Sequence, residues 1–196
     1  MTNPLTPDPL RIFRSETHEL HQRLEATNVF SQLMRDTVTI EDYTFALQAL
    51  LNCYSVLEPI LIQGLHLYAP AYLYVPRLPL LLRDLDNLGA NKTIHSDKTE
   101  MPQLSSLSKA ETLGILYVIE GSTLGGQILS RHLIAKLGEQ ISSVLAFYSL
   151  DGKLTSQHWA STQRLLREQL CTAEEIEQAL QSAKQSFEIF IHQQRH

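Results

Sequence analysis

The sequence predicts an all-α fold in a single domain, and three observations predict it. Apolar residues recur at helical spacing along most of the 196 residues. Three helix starts carry capping boxes, Thr39-Ile-Glu-Asp42, Ser108-Lys-Ala-Glu111 and Thr172-Ala-Glu-Glu175, in which hydroxyl and carboxylate satisfy orphan backbone N–H groups reciprocally. Convincing strand pairs and internal repeats are both missing from the pattern. The expected architecture is six or seven helices of unequal length around one core, a single domain over 1–196 with 1–9 as an extended lead-in.

Each element has its own reason. Three prolines in the first nine residues describe the lead-in. Leu10, Phe13, Thr17, Leu20 and Leu24 then form the stripe of an amphipathic helix, with His21 at its edge and facing inward. Residues 28–38 read as a connection. The capping box at Thr39 opens a long apolar helix through Phe45, Leu50, Tyr54 and Leu61, expected to kink or stop early at Pro59 and to end near Gly64. Residues 65–77, with Pro70 and Pro76, read as irregular, and 78–88 as a short helix stopped by Gly89. Residues 91–106 are polar and form the expected surface loop. A helix from Ser108 to about Leu137 follows, stopped by Gly138; 141–147 is a short apolar piece, Asp151-Gly152 a turn, and helices over 155–170 and 172–193 close the chain.

The helix from Ser108 is the unusual one. Its run from Leu113 to Leu129 carries four glycines, Gly114, Gly121, Gly125 and Gly126, each costing about 1 kcal/mol relative to alanine. Gly114, Gly121 and Gly125 are spaced by seven and four and share a face. Bare backbone on that face suits either a close helix crossing or a flat ligand, and spacing leaves both open. Gly125-Gly126 marks a kink point.

Composition narrows the function classes. The formal charge is −5 and the 16 basic residues are scattered, which excludes a nucleic-acid surface. Glu111, Glu120 and Arg131 interrupt the most apolar run, so no membrane span is expected, and the N-terminus lacks the features of a signal peptide. The cytoplasm is the expected compartment. Cys53 and Cys171 read as reduced core residues. No histidine has a glutamate three residues before it, against a di-iron bundle, and His18-Glu-Leu-His21 is one residue short of a zincin motif.

What remains is a single inward histidine, His21, on the first helix and a bare glycine face on another. A haem is flat, largely apolar, and takes one axial imidazole while its other face stays open. His21 and the glycine helix meet those two requirements.

The same residues carry a resemblance. Thr17-His-Glu-Leu-His21-Gln-Arg-Leu-Glu25 resembles the proximal helix of haem oxygenases. Leu116-Tyr-Val-Ile-Glu-Gly121-Ser122-Thr-Leu-Gly125-Gly126-Gln127 resembles their distal helix, above all in the bacterial members, and Ala183 to Phe190 their C-terminal helix. Residues 64–106 add little. The resemblance implies a haem sandwiched between a proximal and a kinked distal helix. His21 would be the iron ligand, with Glu25 near its free ring nitrogen. Gly121 and Gly125 would lie over the ring, with Gly126 the flexible position beside them. Tyr117 would turn toward the pocket and Phe187 form its wall. Arg14 would pair with a propionate, with Arg131 and His132 as weaker candidates. Ser122 stands where many family members place an aspartate that organises proton-supplying water.

The activity implied is oxidative cleavage of haem to biliverdin, with release of iron and carbon monoxide. Haem is both cofactor and substrate, O2 is the co-substrate, and the chain has no nucleotide or flavin motif. Electrons would come from a ferredoxin or an NAD(P)H-dependent reductase, and a phytochrome is a candidate acceptor of biliverdin. Two alternatives stay open: a haem-binding or delivery protein with the same pocket, and a haem-free relative akin to the thiamin-degrading enzymes, which the distal glycines disfavour.

Overall fold

The computed structural model describes residues 7–92, 94, 107–149 and 155–193. Among them are eight α-helices: α1 (Pro9–Glu16), α2 (His18–Glu25), α3 (Asn28–Leu33), α4 (Ile40–Tyr68), α5 (Leu78–Asn87), α6 (Lys109–Leu137), α7 (Thr155–Gln169) and α8 (Ala173–Gln193). A 3-10 segment, Glu139–Val144, follows α6. The all-α, single-domain expectation holds. The expected loop at 91–106 and the turn at Asp151-Gly152 lie almost wholly outside the described residues.

The three capping boxes start α4, α6 and α8 as expected, with both reciprocal bonds formed in each. Gly89 and Gly138 stop α5 and α6 with φ of 64° and 90°, the left-handed region that glycine occupies without steric cost.

Several boundaries differ from the expectation. The first helix is two, because Thr17 leaves helical geometry with φ −101° and ψ 0° while its hydroxyl donates to Phe13 O at 2.7 Å. Such back-bonding competes with the backbone ladder and bends a helix. Residues 28–33, read as connection, form α3, because Val29 and Leu33 are one turn apart and both buried. Helix α4 passes through Pro59 and ends at Tyr68, not near Gly64. Pro59 lies on the exposed face, while Leu57, Leu61 and Leu65 on the inner face hold the helix together. Gly64 serves a close crossing instead. A Cβ there would sit 2.2 Å from Thr112 Oγ1, so its absence lets α4 approach α6.

The most apolar helix is α4, not the glycine-broken run. By length and hydropathy alone α4 would pass for a membrane span. Its Ala46, Leu47, Leu50, Tyr54 and Leu61 instead form the core of the bundle. Cys171 is exposed rather than core, whereas Cys53 is buried, and burial pushes its thiol pKa far up. That leaves Cys53 inert.

Helix α6 is the central element, packing on α8, α7 and α4. Its closest crossing is with α8. A Cβ on Gly114 would fall 2.1 Å from Ala179 O, and Ser182 Oγ donates to Glu111 O at 2.9 Å. Helix α2 also packs on α8, so α8 forms a floor from which α2 and α6 rise as two walls.

Candidate functional site

The space between those walls has two closed ends. At one, the Phe13 ring of α1 meets the Tyr117 ring of α6 edge-on at 4.9 Å, and Trp159 of α7 backs Tyr117 at 5.8 Å. At the other, His132 Nε2 lies 3.2 Å from Arg35 O, and Lys136 Nζ pairs with Asp36 at 2.5 Å, tying the turn after α3 to the end of α6. Tyr117 and His132 are fifteen residues apart, about 22 Å along the helix axis. Those two contacts bound the stretch of α6 that faces α2.

Between these ends α6 is unusually bare. Gly125 has nothing within 4 Å of where its Cβ would be, and Gly121 meets only Trp159, at 3.7 Å. Leu124 and Ile128 are 40% and 57% exposed on the same stretch, and Met34, beside the Arg35 latch, is 51% exposed. Exposed large apolar side chains around bare backbone make a surface suited to a flat apolar ligand. Ser122 is exposed and donates to Ile119 O at 2.7 Å. The helix continues without a break through Gly125 and Gly126, where the sequence marks a kink point.

The four glycines therefore divide. Gly114 is a packing glycine, and Gly126 is buried against Tyr148, which would lie 3.4 Å from a Cβ. Gly125 alone keeps its missing side chain toward open space, while a Cβ on Gly121 would make only ordinary contact with Trp159. Shared spacing did not mean shared purpose.

On the opposite wall His21 is 58% exposed rather than turned inward. Its ring meets Phe187 of α8 at 6.1 Å, and its Nδ1 lies 3.3 Å from Glu25 Oε1. Nε2 has no partner among the described residues, so the nitrogen suited to a metal is the free one. The inward reading fails because α2 docks through Leu20 and Leu24, and His21 lies about 100° around the helix from Leu20. Phe187 is buried, 5% exposed, and lines the floor below His21.

Arg14 is exposed at the end of α1, near enough to Tyr117 for its charge to act on the phenol. Burial raises the Tyr117 pKa, while the Thr17 hydroxyl and Arg14 pull the other way. Arg131 is exposed, its Nε donating to Gln127 O at 3.2 Å. Tyr117 closes one end of the slot rather than projecting freely into it.

A buried polar cluster behind α6 went unread in the sequence. Arg77, at the start of α5, donates from Nη2 to Glu120 Oε2 at 2.9 Å, with the two side chains 4% and 1% exposed. Glu58 of α4 accepts from Tyr74 Oη at 2.7 Å and from the N–H groups of Arg77 and Leu78 at 2.5 and 2.7 Å. Tyr54 is also buried, and burial pushes its pKa up to about 12, with Arg77 and then Ser122 opposing. Burial works against the charge on Arg77, but Glu120, Tyr74 and Tyr54 outweigh it and hold the guanidinium charged. The available signal was Glu120 itself, an acid in the middle of an apolar helix, which requires a buried partner.

A bent pair of N-terminal helices and a long glycine-bearing helix, both packed on α8, with an exposed imidazole on the first, define an all-α architecture. The family model described as "Heme oxygenase" matches residues 10–195, and the chain belongs to the haem oxygenase family. Solved structures of similar fold include haem oxygenase from Leptospira interrogans, with a TM-score of 0.78 and 18% identity over 96% of this chain and 99% of that one. The NO- and CO-bound haem oxygenase from Neisseria meningitidis has a TM-score of 0.72 and 21% identity over 97% and 92%. Haem oxygenase-2 from Synechocystis sp. PCC 6803, in complex with haem and NO, has 0.73 and 19% over 96% and 84%. Comparison with curated proteins yields no match.

Proposed function

We propose that this protein is an oxygenase that binds haem in the slot between α2 and α6 and cleaves it to biliverdin, with release of iron and carbon monoxide. The observation that carries the reading is the pairing of an exposed His21, whose Nε2 is free, with a facing helix that leaves Gly125 bare. Family membership implies an oxidoreductase, and the Synechocystis relative of similar fold holds haem.

Bound haem would supply the iron at which O2 is activated. The chain supplies placement. His21 ligates through Nε2, and Glu25 fixes the tautomer and ring orientation by accepting from Nδ1. Gly121 and Gly125 let the backbone come close on the other face. Arg14 takes a propionate, a role for which Arg131 is the weaker candidate. Phe187 supports the proximal side, and Tyr117 stops the ring at one end of the slot. Ser122, exposed on α6, holds water in place of a distal carboxylate.

Electrons come from a separate donor, a ferredoxin or an NAD(P)H-dependent reductase, and a phytochrome is the kind of acceptor that would take biliverdin. The compartment consistent with this chemistry is the cytoplasm.

The test adds hemin to the purified protein, then reductant in air. Imidazole-ligated haem followed by verdin absorption is expected. A protein that takes up hemin and holds it unchanged through repeated reduction is a haem carrier instead.

A further inference from the structure

The glycine stretch of α6 is poorly held by side-chain packing on its slot face. A Cβ on Gly125 would meet nothing within 4 Å and one on Gly121 only Trp159, and Leu124 and Ile128 are exposed. The buried Leu116, Ile119, Gly126 and Leu129 hold the inner face of the helix, while its slot face adds nothing to fix its phase. Upstream it is held by Gly114 against Ala179, and downstream by His132 against Arg35. Between those points the one fully buried polar anchor among the described residues is Glu120, which directly precedes Gly121.

Glu120 lies about 100° around the helix from Gly121, so a bond to it acts a quarter turn from the slot face. Its partner is immobilised from several sides. Arg77 donates its backbone N–H to Glu58, donates from Nη1 to Val75 O, and lays its guanidinium over the Tyr74 ring at 4.8 Å. The ion pair thus ties α6 to α4 and to the segment leading into α5.

The pair is not arranged for maximal stability. Arg77 Nε and Glu120 Oε1 are buried without hydrogen-bond partners. Buried pairs of this kind contribute little net stability over apolar replacements, and their best-attested use is to fix register.

We propose that Arg77 is a positioning residue: through Glu120 it sets the rotational phase of α6 so that Gly121, Ser122 and Gly125 face the slot. Its consequence for haem chemistry rests on the function proposed above, but the mechanical role does not.

The experiment compares the parent with the apolar double variant Arg77→Met/Glu120→Leu and the charge-keeping Arg77→Lys. Urea midpoint, amide exchange along α6 without haem, hemin affinity, ferric spectrum and biliverdin isomer ratio are measured. In the double variant the urea midpoint stays at or above that of the parent, while amides 121–126 exchange about tenfold faster and 113–119 do not. The ferric spectrum shifts and the isomer ratio changes. Arg77→Lys gives the same pattern more weakly, and decides the matter should the double variant fail to fold. Parental exchange at 121–126 in a folded variant overturns the proposal. A parent that binds no hemin overturns the proposed function, and the exchange data still decide the anchor.

Discussion

His21 Nδ1 and Glu25 Oε1 face each other across one turn of α2 at 3.3 Å, so the second imidazole nitrogen is left free beside the Phe187 ring. Both side chains are more than half exposed, and the contact orients the ring more than it stabilises the fold.

Replacing His21 by alanine therefore removes imidazole ligation with little change in stability. Glu25→Gln keeps the ligand but loosens its orientation. The ferric and ferrous spectra check both: an unchanged spectrum in His21→Ala assigns the ligand elsewhere, and an unchanged ferrous spectrum in Glu25→Gln removes its orienting role.

Two glycines on one face of α6 respond oppositely to the same substitution. Gly114→Ala drives a methyl into Ala179 O and costs about 1 to 3 kcal/mol, whether or not haem is present. Gly125→Ala meets no atom and gains up to about 1 kcal/mol from helix propensity. Its cost falls on haem and O2 binding. Urea melts paired with ferrous O2 binding and verdin yield separate the two; a destabilised Gly125→Ala with normal turnover reverses the assignment.

Ser122→Ala is expected to act mildly, because nearby backbone carbonyls such as that of Ile119 remain to hold water. Verdin formation should fall by less than about tenfold, a barrier change below about 1.4 kcal/mol. A complete loss makes the Ser122 hydroxyl the essential proton donor.

Arg14→Gln should weaken hemin binding only modestly, since an exposed pair contributes about 1 kcal/mol or less. It should also change the biliverdin isomer ratio, because one edge of the haem loses its anchor. Affinity and ratio both at parental values return Arg14 to the solvated surface.

Glu175 supplies the acid sensitivity. Lys109 at 2.7 Å, and the N–H groups of Cys171 and Thr172, hold its carboxyl below the usual 4.5. A depressed carboxylate stabilises the fold fully above its unfolded pKa and loses that contribution as pH falls through the folded one. Glu175→Gln should cost about 1 kcal/mol at pH 7, the worth of a helix cap, and progressively less as the pH falls below 4.5. Urea midpoints between pH 3 and 7 measure the difference, and a pH-independent gap assigns it to packing.

Much of this molecule is local, and what is local was legible. The starts of α4, α6 and α8 follow from hydroxyl–carboxylate pairs three residues apart, and the ends of α5 and α6 from glycines at positive φ. The two motifs of the slot could likewise be read, because each lies within a few turns of one helix. What the 3.6-residue period cannot state is what covers a face. Only the tertiary structure decided that Gly114 packs on α8 while Gly125 stands bare, that His21 is exposed, and that Cys171 is not core. The same holds for Glu120, whose partner lies 43 residues away in sequence. Its burial depends on α4, α5 and α6 arriving together, a long-range condition that no window of sequence contains.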